Sequence, residues 1–265
     1  MMTMPGTLLA TLRDKPPLVQ CITNYVAMNI AANVMLAAGA SPAMVHAAEE
    51  SGEFASIAGA LTVNIGTLSP DWFAGMKLAV IAAHEKRIPW VLDPVAHFVT
   101  SFRRNAVAEL LGLRPTIIRA NASEIIALAG GASAGQGVDS RDPVEQAEAA
   151  ALTLAQQHDA IVAVTGAVDF VTDGRQSMRI AGGSPLMPKV TALGCALTCL
   201  VGAFAATAPR EPLAATVAAL ACFGVAGEAA AQGAEGPGSF AWRFLDALAA
   251  LDPASLDAKA KVVPA

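Results

Sequence analysis

The chain has 265 residues, of which 54% are hydrophobic and 15% charged, with a formal net charge of −5. That length holds one large α/β domain or two small ones, and with no linker-like stretch the sequence predicts a single domain over residues 1–265. The negative balance, with no Lys/Arg cluster beyond Arg103-Arg104, argues against nucleic-acid partners. The high apolar content raises the question of a membrane. The longest candidate, Leu213 to Gly227, is bracketed by Glu211, Pro212 and Glu228, is mostly Ala, and is shorter than the roughly 18 residues a spanning helix needs. It reads as a buried helix of a large core or an oligomer interface, so no membrane partner is expected. Met1 to Pro17 lacks the basic start and apolar core of a secretion signal, and the expectation is a cytoplasmic protein. Cys21, Cys195, Cys199 and Cys222 have no C-x-x-C spacing and indicate neither disulfides nor zinc.

In chain order, Val19 to Thr23 reads as a strand that runs through Asn24 into a helical segment, Tyr25 to Ala38, stopped by Gly39. Ala43 to Val45 is a short strand and Ala47 to Ile57 a helix with Glu49, Glu50 and Glu53 early in it, where they suit the helix dipole. Leu61 to Ile65 is a strand ending at Gly66. Ser69-Pro70-Asp71 is a helix start signal, and the helix runs to Arg87. Trp90 to Asp93 is a strand, Arg103 to Leu111 a helix, Thr116 to Arg119 a strand and Asn121 to Leu128 a helix. Gly130 to Arg141 reads as a flexible polar loop, Pro143 to Gln157 as a helix and Ile161 to Val164 as a strand. Asp169 to Thr172 and Ser177 to Ile180 flank Asp173-Gly174-Arg175-Gln176 as a β-hairpin. From Gly194 the chain reads as nearly all helix: Gly194 to Thr207, Leu213 to Gln232 and Ser239 to Leu251. The alternation predicts an α/β fold, a mostly parallel central sheet with helices on both faces and an antiparallel edge hairpin.

In such a sheet the ligand lies beyond the carboxyl ends of the strands, which singles out Asn24, Met44, Gly66, Asp93, Arg119, Asn121, Glu124, Thr165, Gly166 and the turn Ala192 to Cys195. No P-loop and no strand-linked G-x-G-x-x-G is present, so a phosphate must be held another way. The turn before the Gly194 helix offers free backbone N–H groups and a positive dipole end, and Gly194 permits close approach. There a thiolate at Cys195 is favoured, although Cys195 and Cys199, four apart, also fit one buried helical face. Asp93 and Glu124 can hold a hydrated Mg2+ against phosphates; Asp93-Pro94 also fits a turn, and Asn121-x-x-Glu124 has capping-box spacing. Asn24, Asn29 and Asn33 put three amides into an apolar segment, so at least one is expected to meet a partner or ligand, and Asn24 also fits a cap. Arg119 suits a phosphate or a carboxylate. His46, His84, His97 and His158 form no catalytic motif and read as surface or helix-end residues.

Five blocks in order, ITNYVAMNIAANVMLAAGASPAM (Ile22 to Met44), VLDPVA (Val91 to Ala96), IRANASEIIALAG (Ile118 to Gly130), VTGAVDFVTDG (Val164 to Gly174) and VTALGCALT (Val190 to Thr198), resemble the hydroxyethylthiazole kinase family of thiamine salvage, within the ribokinase-like superfamily. The resemblance implies a ribokinase-like fold and phosphoryl transfer from ATP and Mg2+ to the primary alcohol of 4-methyl-5-(2-hydroxyethyl)thiazole. It implies that Met44 and Asn24 line the thiazole pocket with Ala192 and Gly194, and that Arg119 and Thr165, with Asn121 and Gly166, contact ATP. Asp93 and Glu124 would hold Mg2+, and Cys195 would lie beside the substrate hydroxyl as a modest orienting group or weak base. It also implies a homotrimer with sites between subunits. Two departures stand out. The family turn is commonly G-T-G-C where this chain has Ala192-Leu193-Gly194-Cys195, so Leu193 is expected to narrow the pocket. His97-Phe98 stand where small residues are common. Alternatives are another small-alcohol kinase of the superfamily (hydroxymethylpyrimidine or sugar), a cysteine-nucleophile acyl-transfer enzyme, or an inactive thiazole-binding protein.

Overall fold

The computed structural model describes residues 2–132 and 142–265, so most of the loop expected over Gly130 to Arg141 lies outside the described residues. The described strands are β1 (Leu18–Ile22), β2 (Ser41–Ala43), β3 (Ala60–Asn64), β4 (Trp90–Asp93), β5 (Ile117–Asn121), β6 (Ile161–Thr165), β7 (Val168–Thr172), β8 (Ser177–Ala181) and β9 (Lys261–Pro264). They form one sheet in the order β2-β1-β3-β4-β5-β6-β7-β8-β9. Pairing is parallel from β2 through β6 and antiparallel from β6 to β9. The α/β class and the antiparallel hairpin stand as expected.

The helices are α1 (Pro5–Asp14), α2 (Met28–Ala38), α3 (Ala48–Ala55), α4 (Pro70–Lys86), α5 (Ser101–Gly112), α6 (Ala122–Leu128), α7 (Val144–His158), α8 (Leu193–Thr207), α9 (Pro212–Ala231), α10 (Pro237–Ala250) and α11 (Pro253–Lys259). Their starts follow local chemistry. Ser69 accepts the Trp72 N–H at 3.2 Å ahead of Pro70, and Thr100 accepts the Arg103 N–H at 3.2 Å. Gly39, at φ 101°, ends α2 in the left-handed region.

Strand side chains alternate between two apolar layers. Ala60, Val91 and Ile117 join a cluster with α1, α2, α8, α9 and α10. Leu61, Val63, Trp90 and Leu92 point the other way, onto α4 and α5, and Ile118, Val162 and Val164 onto α6 and α7. Helix α9 is longer than the apolar stretch read from the sequence. Its 20 residues are long and apolar enough to cross a membrane, but 78% of its most apolar window is buried inside this fold.

The expectation that the C-terminal region is nearly all helix is corrected by β9, which adds a further edge strand through Ala181↔Lys261 and Ile180↔Val262. Four residues containing Lys and Pro show no readable periodicity, and only the edge left open by β8 makes them a strand. The segment after β1 is also a turn before it is a helix. Asn24 Oδ1 accepts the Ala27 N–H at 3.0 Å, and α2 begins at Met28.

Helix α8 reaches the sheet through a side-chain gap. A Cβ on Gly202 would lie 2.5 Å from Thr62 Cγ2 and 3.4 Å from Val19 Cγ1. Gly202→Val is therefore expected to destabilise by about 1–3 kcal/mol, read as a lower urea midpoint, since overpacking pushes α8 off β1 and β3. An unchanged midpoint would refute the close packing.

Candidate active site

Parallel registry brings the strand ends together. Asn64 pairs with Asp93 between β3 and β4, and Asn121 with Thr165 between β5 and β6; one step beyond Leu92↔Ile118 lie Asp93 and Arg119. The side chains then connect. Asp93 Oδ2 accepts Asn64 Nδ2 at 2.7 Å and Thr198 Oγ1 at 2.7 Å, and Arg119 Nη1 stands 3.7 Å away. Asp93 Oδ1 is buried and has no hydrogen-bond partner among the described residues. Arg119 Nη2 donates to Thr165 Oγ1 at 2.5 Å, and its buried Nε has no partner among the described residues. A Cβ on Gly194 would sit 3.2 Å from both Nη atoms, so the missing side chain lets the guanidinium lie against the start of α8.

The first bond within α8 runs from the Ala196 N–H to the Ala192 carbonyl at 2.9 Å, leaving the N–H groups of Leu193, Gly194 and Cys195 ahead of the ladder. Cys195 Sγ accepts Asn24 Nδ2 at 3.3 Å, and the same Nδ2 reaches Asn64 Oδ1 at 2.9 Å. Opposite, Glu124 Oε1 accepts the Ala96 N–H at 2.8 Å and Oε2 the Asn121 N–H at 3.0 Å, while Asn121 Oδ1 accepts the Glu124 N–H at 3.0 Å. Glu124 is thus a capping-box residue, and it is also close enough to Asp93 to feel its charge. Asn24, Asp93, Arg119, Thr165, Gly194 and Cys195 form one connected group. Gly166 lies at its rim, donating its N–H to Asp169 Oδ1 at 2.9 Å. Met44 follows β2, half-buried against the apolar cluster, its carbonyl 3.4 Å from His46 Nδ1.

Burial governs the electrostatics. It raises the Asp93 carboxyl, while Arg119, Thr198 and Asn64 pull it back down. Burial, then the Asp93 charge, pushes Glu124 up to about 7, and burial does the same for Asp169. The expected thiolate at Cys195 is corrected: burial and the neighbouring Asp93 charge push this thiol up to about 11, outweighing the Asn24 donor and the Arg119 charge. At neutral pH Cys195 is a thiol, which weakens both a base role and the acyl-transfer alternative. Two buried carboxylates and one orphaned oxygen are a donor set that suits a hydrated Mg2+.

Other expectations are corrected or sharpened. His97 stands at a helix end but not at the surface; it opens a short helical turn over His97–Val99, is 4% exposed, and places Nδ1 3.3 Å from the Pro94 carbonyl. Leu193 is 3% exposed within the core cluster, so packing takes up its side chain and not the mouth of the site. Of the three amides, Asn24 is the buried one; Asn29 and Asn33 are exposed and bond to each other at 3.1 Å. The sequence reading missed Asn64, Thr198 and Asp169. Asn64 was readable as the last polar residue of a buried strand, and Thr198 as one turn on from Gly194 along α8.

A nine-stranded sheet of this connectivity, with its polar cluster at the strand ends and against a helix N-terminus, is ribokinase-like. A Staphylococcus aureus pyridoxal kinase solved with ADP superposes at a TM-score of 0.62 over 81% of this chain and 88% of its own, with 15% identity. The chain belongs to the hydroxyethylthiazole kinase family, whose profile matches residues 9–254. It is 74% identical to the hydroxyethylthiazole kinase of Rhizobium johnstonii, covering 98% of this chain and 97% of that one. It is 64% identical to that of Cereibacter sphaeroides over 97% of each. The solved hydroxyethylthiazole kinase of Pyrococcus horikoshii OT3 matches at a TM-score of 0.90 and 39% identity, over 98% of both chains.

Glu124 gives a signed pH prediction. Its folded pKa of about 7 lies above the unfolded value, so its contribution to stability is present below the unfolded pKa and lost as pH rises through about 7. Glu124→Gln removes that loss, at a fixed cost from one broken cap bond. In metal-free buffer the melting temperature of the variant relative to wild type should rise by about 2–6 °C between pH 5.5 and pH 8.5. A difference independent of pH would refute the buried carboxyl.

Proposed function

We propose that the chain transfers the γ-phosphoryl group of ATP, with Mg2+, to the primary alcohol of 4-methyl-5-(2-hydroxyethyl)thiazole. The observation that carries this reading is the meeting of Arg119, the free N–H groups of α8 and the orphaned Asp93 oxygen around one space, in a chain of this family. Phosphoryl transfer asks mainly for positioning and charge neutralisation, and these groups supply both. Arg119 offers Nε and Nη1 to phosphate oxygens while Thr165 holds its other nitrogen. The N–H groups of Leu193, Gly194 and Cys195, at the positive end of α8, receive the negative oxygens of the moving group. Thr165, Gly166 and Asn121 border the nucleotide side, and Asn24, Met44, Ala192 and Gly194 the alcohol side.

Mg2+, held by Asp93 and Glu124 directly or through water, would neutralise phosphate charge. The neutral Cys195 thiol, accepting from Asn24, orients the acceptor hydroxyl and does not act as a strong base. The proposed assembly is a homotrimer with sites between subunits; the exposed Tyr25 and Val26, immediately after Asn24, and the exposed Leu36 support an interface at this edge.

A coupled assay should show ATP turnover that requires the thiazole alcohol, stops with EDTA and returns with Mg2+. Turnover with hydroxymethylpyrimidine, pyridoxal or sugars in place of the thiazole would overturn the substrate. Cys195→Ala should lose roughly 10- to 100-fold in kcat, less than a full general base commonly contributes, and Cys195→Asp should retain activity. Loss of all activity in Cys195→Ala with an unchanged melting temperature would refute the orienting role.

A further inference from the structure

We infer that Asn64 is the positioning residue that joins the two halves of this site, setting the Asp93 carboxylate on one side and, through Asn24, the Cys195 thiol on the other; this rests on the kinase reading above. Asn64 is 2% exposed, and its amide is used in full view of both halves. Its Oδ1 accepts from Asn24 Nδ2 at 2.9 Å and from the Gly66 N–H at 2.9 Å, and its Nδ2 donates to Asp93 Oδ2 at 2.7 Å. Neither amide can flip without loss. Asn24 Oδ1 is committed to the Ala27 N–H at 3.0 Å, so Asn24 Nδ2 must face Asn64 and Cys195.

The polarity of the chain has consequences at both ends. Asn64 and Thr198 both load Asp93 Oδ2, which leaves Oδ1 as the oxygen with free lone pairs. At the other end Asn24 makes Cys195 Sγ an acceptor, which frees the S–H to turn toward a second partner. The pocket is also shaped for this contact: a Cβ on Gly66 would lie 2.6 Å from Asn24 Nδ2. Arg103 then clamps the two loops behind the pair, donating to the Gly66 carbonyl at 2.5 Å and the Val95 carbonyl at 2.8 Å.

The test compares wild type with Asn64→Leu, Asn64→Ala, Asn24→Ala and the double variant Asn24→Ala/Asn64→Leu. Calorimetry with the thiazole alcohol alone, without ATP or Mg2+, reads the Asn24 side. Steady-state kinetics read kcat, the KM for ATP and the Mg2+ concentration at half-saturation. Asn64→Leu should weaken alcohol binding by about 3- to 10-fold, raise the Mg2+ half-saturation by about fivefold or more and lower kcat by about 10- to 100-fold, with the KM for ATP within twofold. Asn24→Ala should weaken alcohol binding and lower kcat while leaving the Mg2+ half-saturation unchanged, and in the Asn64→Leu background should add less than twofold to the loss of alcohol binding. Movement at only one end, movement at neither end, or loss of folding in both Asn64 variants would overturn the inference. If wild type turns over another alcohol and not the thiazole, the substrate reading fails, and the same comparison runs with the accepted alcohol.

Discussion

A carboxylate buried at the end of β4 sets the terms for this site. Taking an isolated carboxylate out of water is costly, and Asp93, 1% exposed, is held by donors from three other elements. Asn64 comes from β3, Thr198 from α8 and Arg119 from β5. Each donor brings a further group. Asn64 carries Asn24 and the loop at Gly66, Thr198 fixes the first turns of α8 with Cys195, and Arg119 ties in Thr165 from β6. Satisfying one oxygen therefore assembles the ends of β3 to β6, the turn after β1 and a helix start, while the second oxygen stays unpartnered among the described residues.

The same constraint explains the chemistry at position 195. Asp93 and Glu124 already place two carboxyl groups in a dry space, and burial raises both. Another ionised group would repel them before any nucleotide or cation arrives. A thiol pushed up to about 11 stays neutral and still accepts the Asn24 hydrogen bond.

The strand and helix order was largely legible in the sequence, because apolar runs alternate with amphipathic segments and Ser69 and Asn121 announce their helices. Junction logic also found Asn24, Asp93, Arg119, Thr165 and Gly194. It overlooked Asn64, which lies two residues before the junction glycine Gly66, and only the parallel registry Asn64↔Asp93 shows that the amide faces a carboxylate. The sign of the Cys195 shift was illegible for a similar reason. A helix end is a local feature, whereas the burial and the Asp93 charge that overrule it come from other elements. The burial of His97 and the strand β9 were illegible because nothing in their immediate neighbours signals a buried ring or an open sheet edge.

The turn before α8 shows how a departure from the family pattern can leave backbone donors untouched. Ala192 sits at φ 60°, in the left-handed region that glycine occupies freely and alanine enters at about 1–2 kcal/mol. Glycine is the natural residue there, and alanine is the smallest that can replace it. Leu193 turns into the core, where full burial of such a side chain contributes about 1.5–3 kcal/mol, enough to offset that strain. Neither change alters the N–H groups at the start of α8, which act through the backbone. Gly194 differs, because its missing side chain is what admits the Arg119 guanidinium, and Cys195 differs because its sulfur meets Asn24. Within one turn, the residues that vary from the family pattern serve packing and backbone geometry, and the two that keep to it meet Arg119 and Asn24.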